Sequence, residues 1–94
     1  MRPRVGLLTL EFSLPGASSL KEKRARLRPV LEHLRRDFPL SVAEVALQDD
    51  WDRAVVAAAV VGTDTATLHG ILQRAATAAE EHDLRLDNVA TEMI

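Results

Sequence analysis

An α+β sandwich, with one four-stranded antiparallel sheet covered on one face by two helices, is the fold class this sequence predicts. Three observations lead there. Four strand-like apolar stretches lie within 94 residues, two segments of helical spacing separate them, and the elements read β-α-β-β-α-β.

The opening "RVGLLTLEFSL" alternates, with Gly6, Leu8, Leu10, Phe12 and Leu14 on one side and Val5, Leu7, Thr9, Glu11 and Ser13 on the other. "PGASS" ends this strand, because Pro15 fixes its own backbone and Gly16 permits a left-handed turn. Ser19, followed three residues later by Glu22, matches a capping box and starts a helix. Leu20, Leu27, Val30, Leu31, Leu34 and Phe38 form its apolar stripe, and Pro39 stops it. Pro29 removes a helical hydrogen bond and crowds the Ala25 carbonyl, which predicts a kink and not a break.

"LSVAEVAL" gives a second strand, and "QDDWD" is a polar turn. "RAVVAAAVVG", the third strand, is apolar on both parities, so both of its sides should be covered. Thr63 or Asp64 caps a second helix carrying Leu68, Ile71, Leu72, Ala75 and Ala79, which ends near "EEHD". "LRLDNVATEMI" closes the chain as a strand.

The usual packing of this order is the ferredoxin-like βαββαβ sandwich, expected as one domain over residues 1–94. Right-handed crossovers give strand order 4-1-3-2. "PGASSLKEKR" and "QDDWDR" then become neighbours at one end of the molecule. Leu8, Leu10, Phe12, Val45, Val56, Ala58 and Val60 are expected to face the helices. Val5, Leu7, Val42, Ala46, Val55, Ala57, Ala59 and Val61 are expected on the open face. An apolar face of that extent needs a cover, and a second copy packed sheet to sheet is the simplest. It carries no aromatic residue, which argues against base stacking there.

Composition narrows the function. The absence of cysteine excludes disulfides, thiolate metal sites and thiol catalysis. No apolar run approaches the roughly 18 residues a membrane helix needs, so a cytoplasmic protein with no membrane partner is expected. Net charge is −2, yet residues 19–38 hold seven basic residues against three acidic ones. Lys21, Arg24, Arg28 and Arg35 share one helical flank, whereas Arg26 and Arg36 each follow a glutamate, Glu22 or Glu32, by four residues and should pair with it. That flank reads as a phosphate-tracking stripe for RNA or a ribonucleoprotein, or alternatively as a solvated, salt-bridged face.

The helix start, with Ser18, Ser19, Lys21 and Lys23, is a second candidate anion site, or simply a capped terminus. Asp49, Asp50 and Asp52 lack a complementary ligand set, so no metal or other cofactor is expected. They read as turn formers that neutralise Lys23 or Arg24. Trp51, beside Arg53, is expected to lie as a lid over the sheet end. His33, His69 and His82 fall on separate elements with no metal or relay spacing, and no catalytic constellation is predicted.

At "LPGASSLKEKR", "SVAEVALQDDW" and "DRAVVAAAVV" the chain resembles the small bacterial YlxP-like family, a domain of unknown function. The matching positions are Leu14 to Gly16 with Ser19 to Arg24, Ser41 to Val45, and Gln48, Asp49, Trp51, Arg53 and Ala54. Pro29 and Val55 depart from the family pattern. The resemblance implies a ferredoxin-like domain with a role around RNA or the ribosome, and no catalytic residues to carry over.

The resulting expectation is a noncatalytic, dimeric domain whose basic helix and loop end contact RNA. The alternative is a regulatory module binding a small metabolite near Gly16 at the loop and dimer edge. An acylphosphatase-like enzyme would need an arginine in a glycine-rich phosphate loop after the first strand, which this sequence lacks.

Overall fold

The computed structural model describes residues 2–94. In chain order the elements are β1 (Arg4–Ser13), α1 (Leu20–Asp37), β2 (Ser41–Ala46), β3 (Arg53–Gly62), α2 (Thr65–Ala79) and β4 (Arg85–Met93). All strand pairs are antiparallel, in order β2-β3-β1-β4, which is the predicted order read from the other edge.

Local signals start both helices. The Ser19 hydroxyl accepts a hydrogen bond from the Glu22 N–H at 3.0 Å. The Glu22 carboxylate reaches back one residue further than a capping box requires, accepting from the Ser18 N–H at 3.1 Å and the Ser18 hydroxyl at 2.7 Å. These bonds hold its carboxyl below the usual carboxylate range. Asp64 caps α2, accepting from the Thr67 N–H at 3.3 Å and its hydroxyl at 2.6 Å. α1 runs unbroken through Pro29. Pro29 and Ala25 both lie on the exposed side, where water can serve the carbonyl that loses its helical donor.

The core fills the space between sheet and helices. Leu8, Leu10, Phe12 and Leu14 of the β1 segment meet Leu27, Val30 and Leu34 of α1 and Leu68, Leu72, Ala75 and Ala79 of α2, all buried. At the β3–α2 junction a Cβ on Gly62 would sit 2.9 Å from Leu68 Cδ2, so the absence of a side chain lets α2 close onto the sheet.

β2 overturns one expectation. Val42, expected on the open face, is buried opposite Ala58, and Val45, expected in the core, is 49% exposed. A bulge between Glu44 and Ala46 makes Val45 the extra residue and returns Ala46 to the open face opposite Val55. Glu44 therefore points toward the helices.

Candidate functional site

The seven basic residues of α1 divide into two groups. Lys23 is buried, although it was expected to contact an anion. Its Nζ lies 2.7 Å from Glu44 Oε2 and donates to the Leu47 carbonyl at 2.7 Å. Glu44 Oε2 is itself buried with no other partner, so this ammonium is what neutralises it. Leu47 holds a left-handed backbone, φ 59°, that a branched side chain disfavours, and its carbonyl also accepts from the Asp50 N–H at 3.0 Å. Lys23 is thus a clamp beneath the β2–β3 loop.

Arg26 and Arg36 do not make the predicted glutamate bonds. Arg26 donates to the Pro15 carbonyl at 2.8 Å and the Asp83 carbonyl at 2.9 Å, tying two loops together, and Arg36 donates to Asp37 at 2.9 Å. A planar guanidinium satisfies two loop carbonyls at once, which a carboxylate one turn away would forfeit.

Lys21, Arg24, Arg28 and Arg35 remain outward. All four are exposed, and among the described residues none forms an ion pair. Arg24, Arg28 and Arg35 line a groove of about 260 Å³ between α1 and edge strand β2, floored by Leu27 and Leu31 and including Glu32 and Glu44. One Arg35 nitrogen donates to the Val42 carbonyl at 2.7 Å, which fixes the side chain along the strand edge. At about 1.5 Å per residue the four cations extend over roughly 21 Å.

The loop end is assembled as the topology predicts, since the Leu14 N–H donates to the Asp52 carbonyl at 2.8 Å. Its chemistry differs from the expectation. Trp51 is 54% exposed and is not a lid. Phe12 and Leu14, at the end of β1, are buried without it. Asp49, Asp50 and Asp52 form no salt bridge with Lys23 or Arg24, because Glu44 has taken Lys23. Arg53 is exposed at the start of β3, opposite Ser13.

The histidines were expected to be independent, and two of them are joined. His33 Nδ1 lies 2.8 Å from His82 Nε2, and His33 Nε2 lies 3.1 Å from Asp37 Oδ2. The residues come from the last half of α1 and the α2–β4 turn, so no local spacing announces the contact. Among the described residues no group of three or more His, Cys, Asp or Glu could hold a metal ion.

The open sheet face is apolar toward one end, with Val5, Leu7, Ala57, Ala59 and Val61, the last 70% exposed. Several polar groups at the other end are paired, whereas Arg53 there, and Glu92 opposite Leu7, form no ion pair among the described residues. Asn88 donates to Glu11 at 2.8 Å, while Ser13 and Arg85 both bond Asp87 and hold its carboxyl low. Among the described residues no helix is long and apolar enough to cross a membrane.

A small βαββαβ sandwich with an apolar open sheet and a basic outer helix flank is the class of protein these features define. The chain belongs to the DUF503 family, proteins of unknown function, whose model matches residues 5–93. It is 34% identical over 70 residues to the uncharacterized protein YlxP of Bacillus subtilis (strain 168), covering 74% of this chain and 76% of that one. Among solved structures it is similar to SnoaB, a cofactor-independent oxygenase from Streptomyces nogalater, with TM-score 0.49 and 15% identity over 99% of this chain and 92% of that one. A de novo designed protein with ferredoxin fold gives TM-score 0.49 and 14% identity, covering 97% and 82%. At such identities the likeness concerns the backbone alone.

Proposed function

We propose that this protein is a noncatalytic binding domain that dimerises through its open sheet face and holds the phosphate backbone of a structured RNA, free or in a ribonucleoprotein, on the outer flank of α1. The division of the α1 cations carries the reading. Lys23 and Arg26 are engaged internally and Arg36 pairs with Asp37 at the surface, whereas Lys21, Arg24, Arg28 and Arg35 form no ion pair among the described residues, and the three arginines of that set line the groove against β2. A merely solvated face would not need three arginines around one apolar floor. The flank carries no aromatic residue, so it favours backbone contacts over base reading. Its length is roughly 21 Å, so each copy supplies a short contact and a dimer supplies two.

Pairing of the sheets suits the second part of the reading. A face of four strands about 33 Å long and about 19 Å wide offers about 600 Å² per copy, near the lower limit of stable interfaces. Within its polar end Asn88 bonds Glu11 and Arg85 bonds Asp87, which leaves Arg53 and, opposite Leu7, Glu92 as the charges a partner copy must meet. Titration of a labelled RNA hairpin with the protein at rising salt tests the function. Four phosphate contacts weaken binding about 150-fold between 50 and 200 mM salt, and three weaken it about 40-fold. Binding indifferent to salt would count against it.

A second reading, a metabolite-binding module, has one specific observation in its favour. An open cavity of about 560 Å³ at the loop end is lined by Pro15, Gly16, Arg26, His82 and Arg85, and the positive φ of Gly16 shapes its rim. A metabolite that raises the melting temperature and loses that effect in Arg85→Ala would support this reading.

A further inference from the structure

Two imidazoles and a carboxylate connect α1 to the α2–β4 turn in one line, Asp37 to His33 to His82. Hydrogen-bond polarity fixes the tautomers. The Asp37 carboxylate only accepts, so His33 Nε2 carries a proton toward it at 3.1 Å. His33 Nδ1 is then a bare lone pair in the neutral ring, and His82 Nε2–H donates to it across 2.8 Å. A first added proton can sit between the rings, with Asp37 balancing its charge. A second places two N–H groups and two positive charges face to face across the same distance.

We propose that Asp37, His33 and His82 form a pH-operated latch that fastens the α2–β4 turn to α1 and releases it when both imidazoles are protonated. The surroundings carry charges of both signs. From α1, Asp37 favours the charged pair and Arg36 opposes it; Arg74 of α2 borders the depression beside His33, and Glu81 precedes His82. On the cavity side stand Arg26 and Arg85 with Glu22 and Asp83. Burial, and next the charge on His33, hold His82 below the usual imidazole value of 6.5. The sign follows: the latch is complete above pH 6.5 and is lost as pH falls through the lowered value. Hydrogen bonding to Arg36 keeps the Asp37 carboxyl low, so Asp37 stays charged as His82 takes up its proton.

Release has a local consequence. The turn is tied to α1 by the His33–His82 bond and by the Arg26 donation to Asp83. With the first gone, the wall of the loop-end cavity formed by His82, Asp83 and Leu84 is held by Arg26 and by the packing of Leu84 on the core, which leaves His82 and its neighbours in the turn the freest.

The test uses the intact chain with its imidazole nitrogens observed by NMR, and amide exchange corrected for intrinsic pH effects. At about pH 7.5 both His33 and His82 should appear as Nε2–H tautomers, with exposed His69 as internal reference. Lowering the pH to about 4.5 should speed exchange at residues 80–84 at least about tenfold relative to β1. In His82→Gln, whose amide can donate to His33 Nδ1 without titrating, the change should shrink to less than about twofold. A His33 Nδ1–H tautomer in the wild type, an unchanged exchange ratio, or a full response in His82→Gln would overturn the latch. The tautomer readout needs no variant and stands even if His82→Gln folds poorly.

Discussion

Replacing Lys23 with methionine removes a charge that is 2% exposed while keeping most of the side-chain volume. Two groups lose their partner: the Glu44 carboxylate, with the side chain 21% exposed, and the Leu47 carbonyl, whose residue is held in a left-handed conformation. Breaking a buried pair from one side costs about 3 to 5 kcal/mol. The partial exposure of Glu44 lets water relieve some of that, which brings the expectation to about 2 to 3 kcal/mol. For a domain of this size that is a fall in melting temperature of about 10 to 20 °C. Urea unfolding followed by far-UV circular dichroism measures it; Trp51, already 54% exposed, would report unfolding poorly. Lys23→Met combined with Glu44→Leu should recover a good part of the loss, since the orphaned charge is gone. A loss below about 0.5 kcal/mol in Lys23→Met would refute the clamp, and so would a double variant as unstable as the single one.

Other consequences are more local. Ser19→Ala should cost about 1 kcal/mol by urea unfolding, because the Glu22 N–H loses its acceptor. Acid unfolding should set in as pH falls below the ordinary carboxylate range. Glu22, Asp37, Asp64 and Asp87 have lowered folded values, so their stabilisation is complete above the unfolded values and lost through the folded ones; Asp64→Asn should flatten part of that slope. Val61→Asp, at a position 70% exposed, should lower the unfolding free energy of the dissociated chain by no more than about 1 kcal/mol, the span of strand propensities. It should nevertheless shift sedimentation from dimer to monomer, and an unchanged dimer would exclude the sheet face as the contact.

Much of the architecture was legible because it rests on local signals. Ser19 and Asp64 announce their helices, and the alternation in β1 assigns Leu8, Leu10 and Phe12 to the core. β2 was not legible in the same way. "LSVAEVAL" is apolar on both parities, so periodicity could not choose between Val42 and Val45, and the choice fell to the pairing of Glu44 with Lys23. A signal for that pairing does exist: Lys23 stands three residues after Leu20 and four before Leu27, on the apolar stripe itself. A charge on that stripe needs an opposite charge from another element. Arg26 and the His33–His82 pair are different, since their partners lie 49 or more residues away in sequence, or on a loop carbonyl, and only tertiary packing brings them together.

The outward flank of α1 is tested most directly by the affinity of a labelled RNA hairpin for the wild-type chain and for a variant with Lys21, Arg24 and Arg28 all changed to Glu, measured across a salt series. Binding that weakens about 40- to 150-fold between 50 and 200 mM salt in the wild type, and is lost in the variant, is the predicted result. Equal affinity in the two proteins, or wild-type binding that ignores salt, would contradict it.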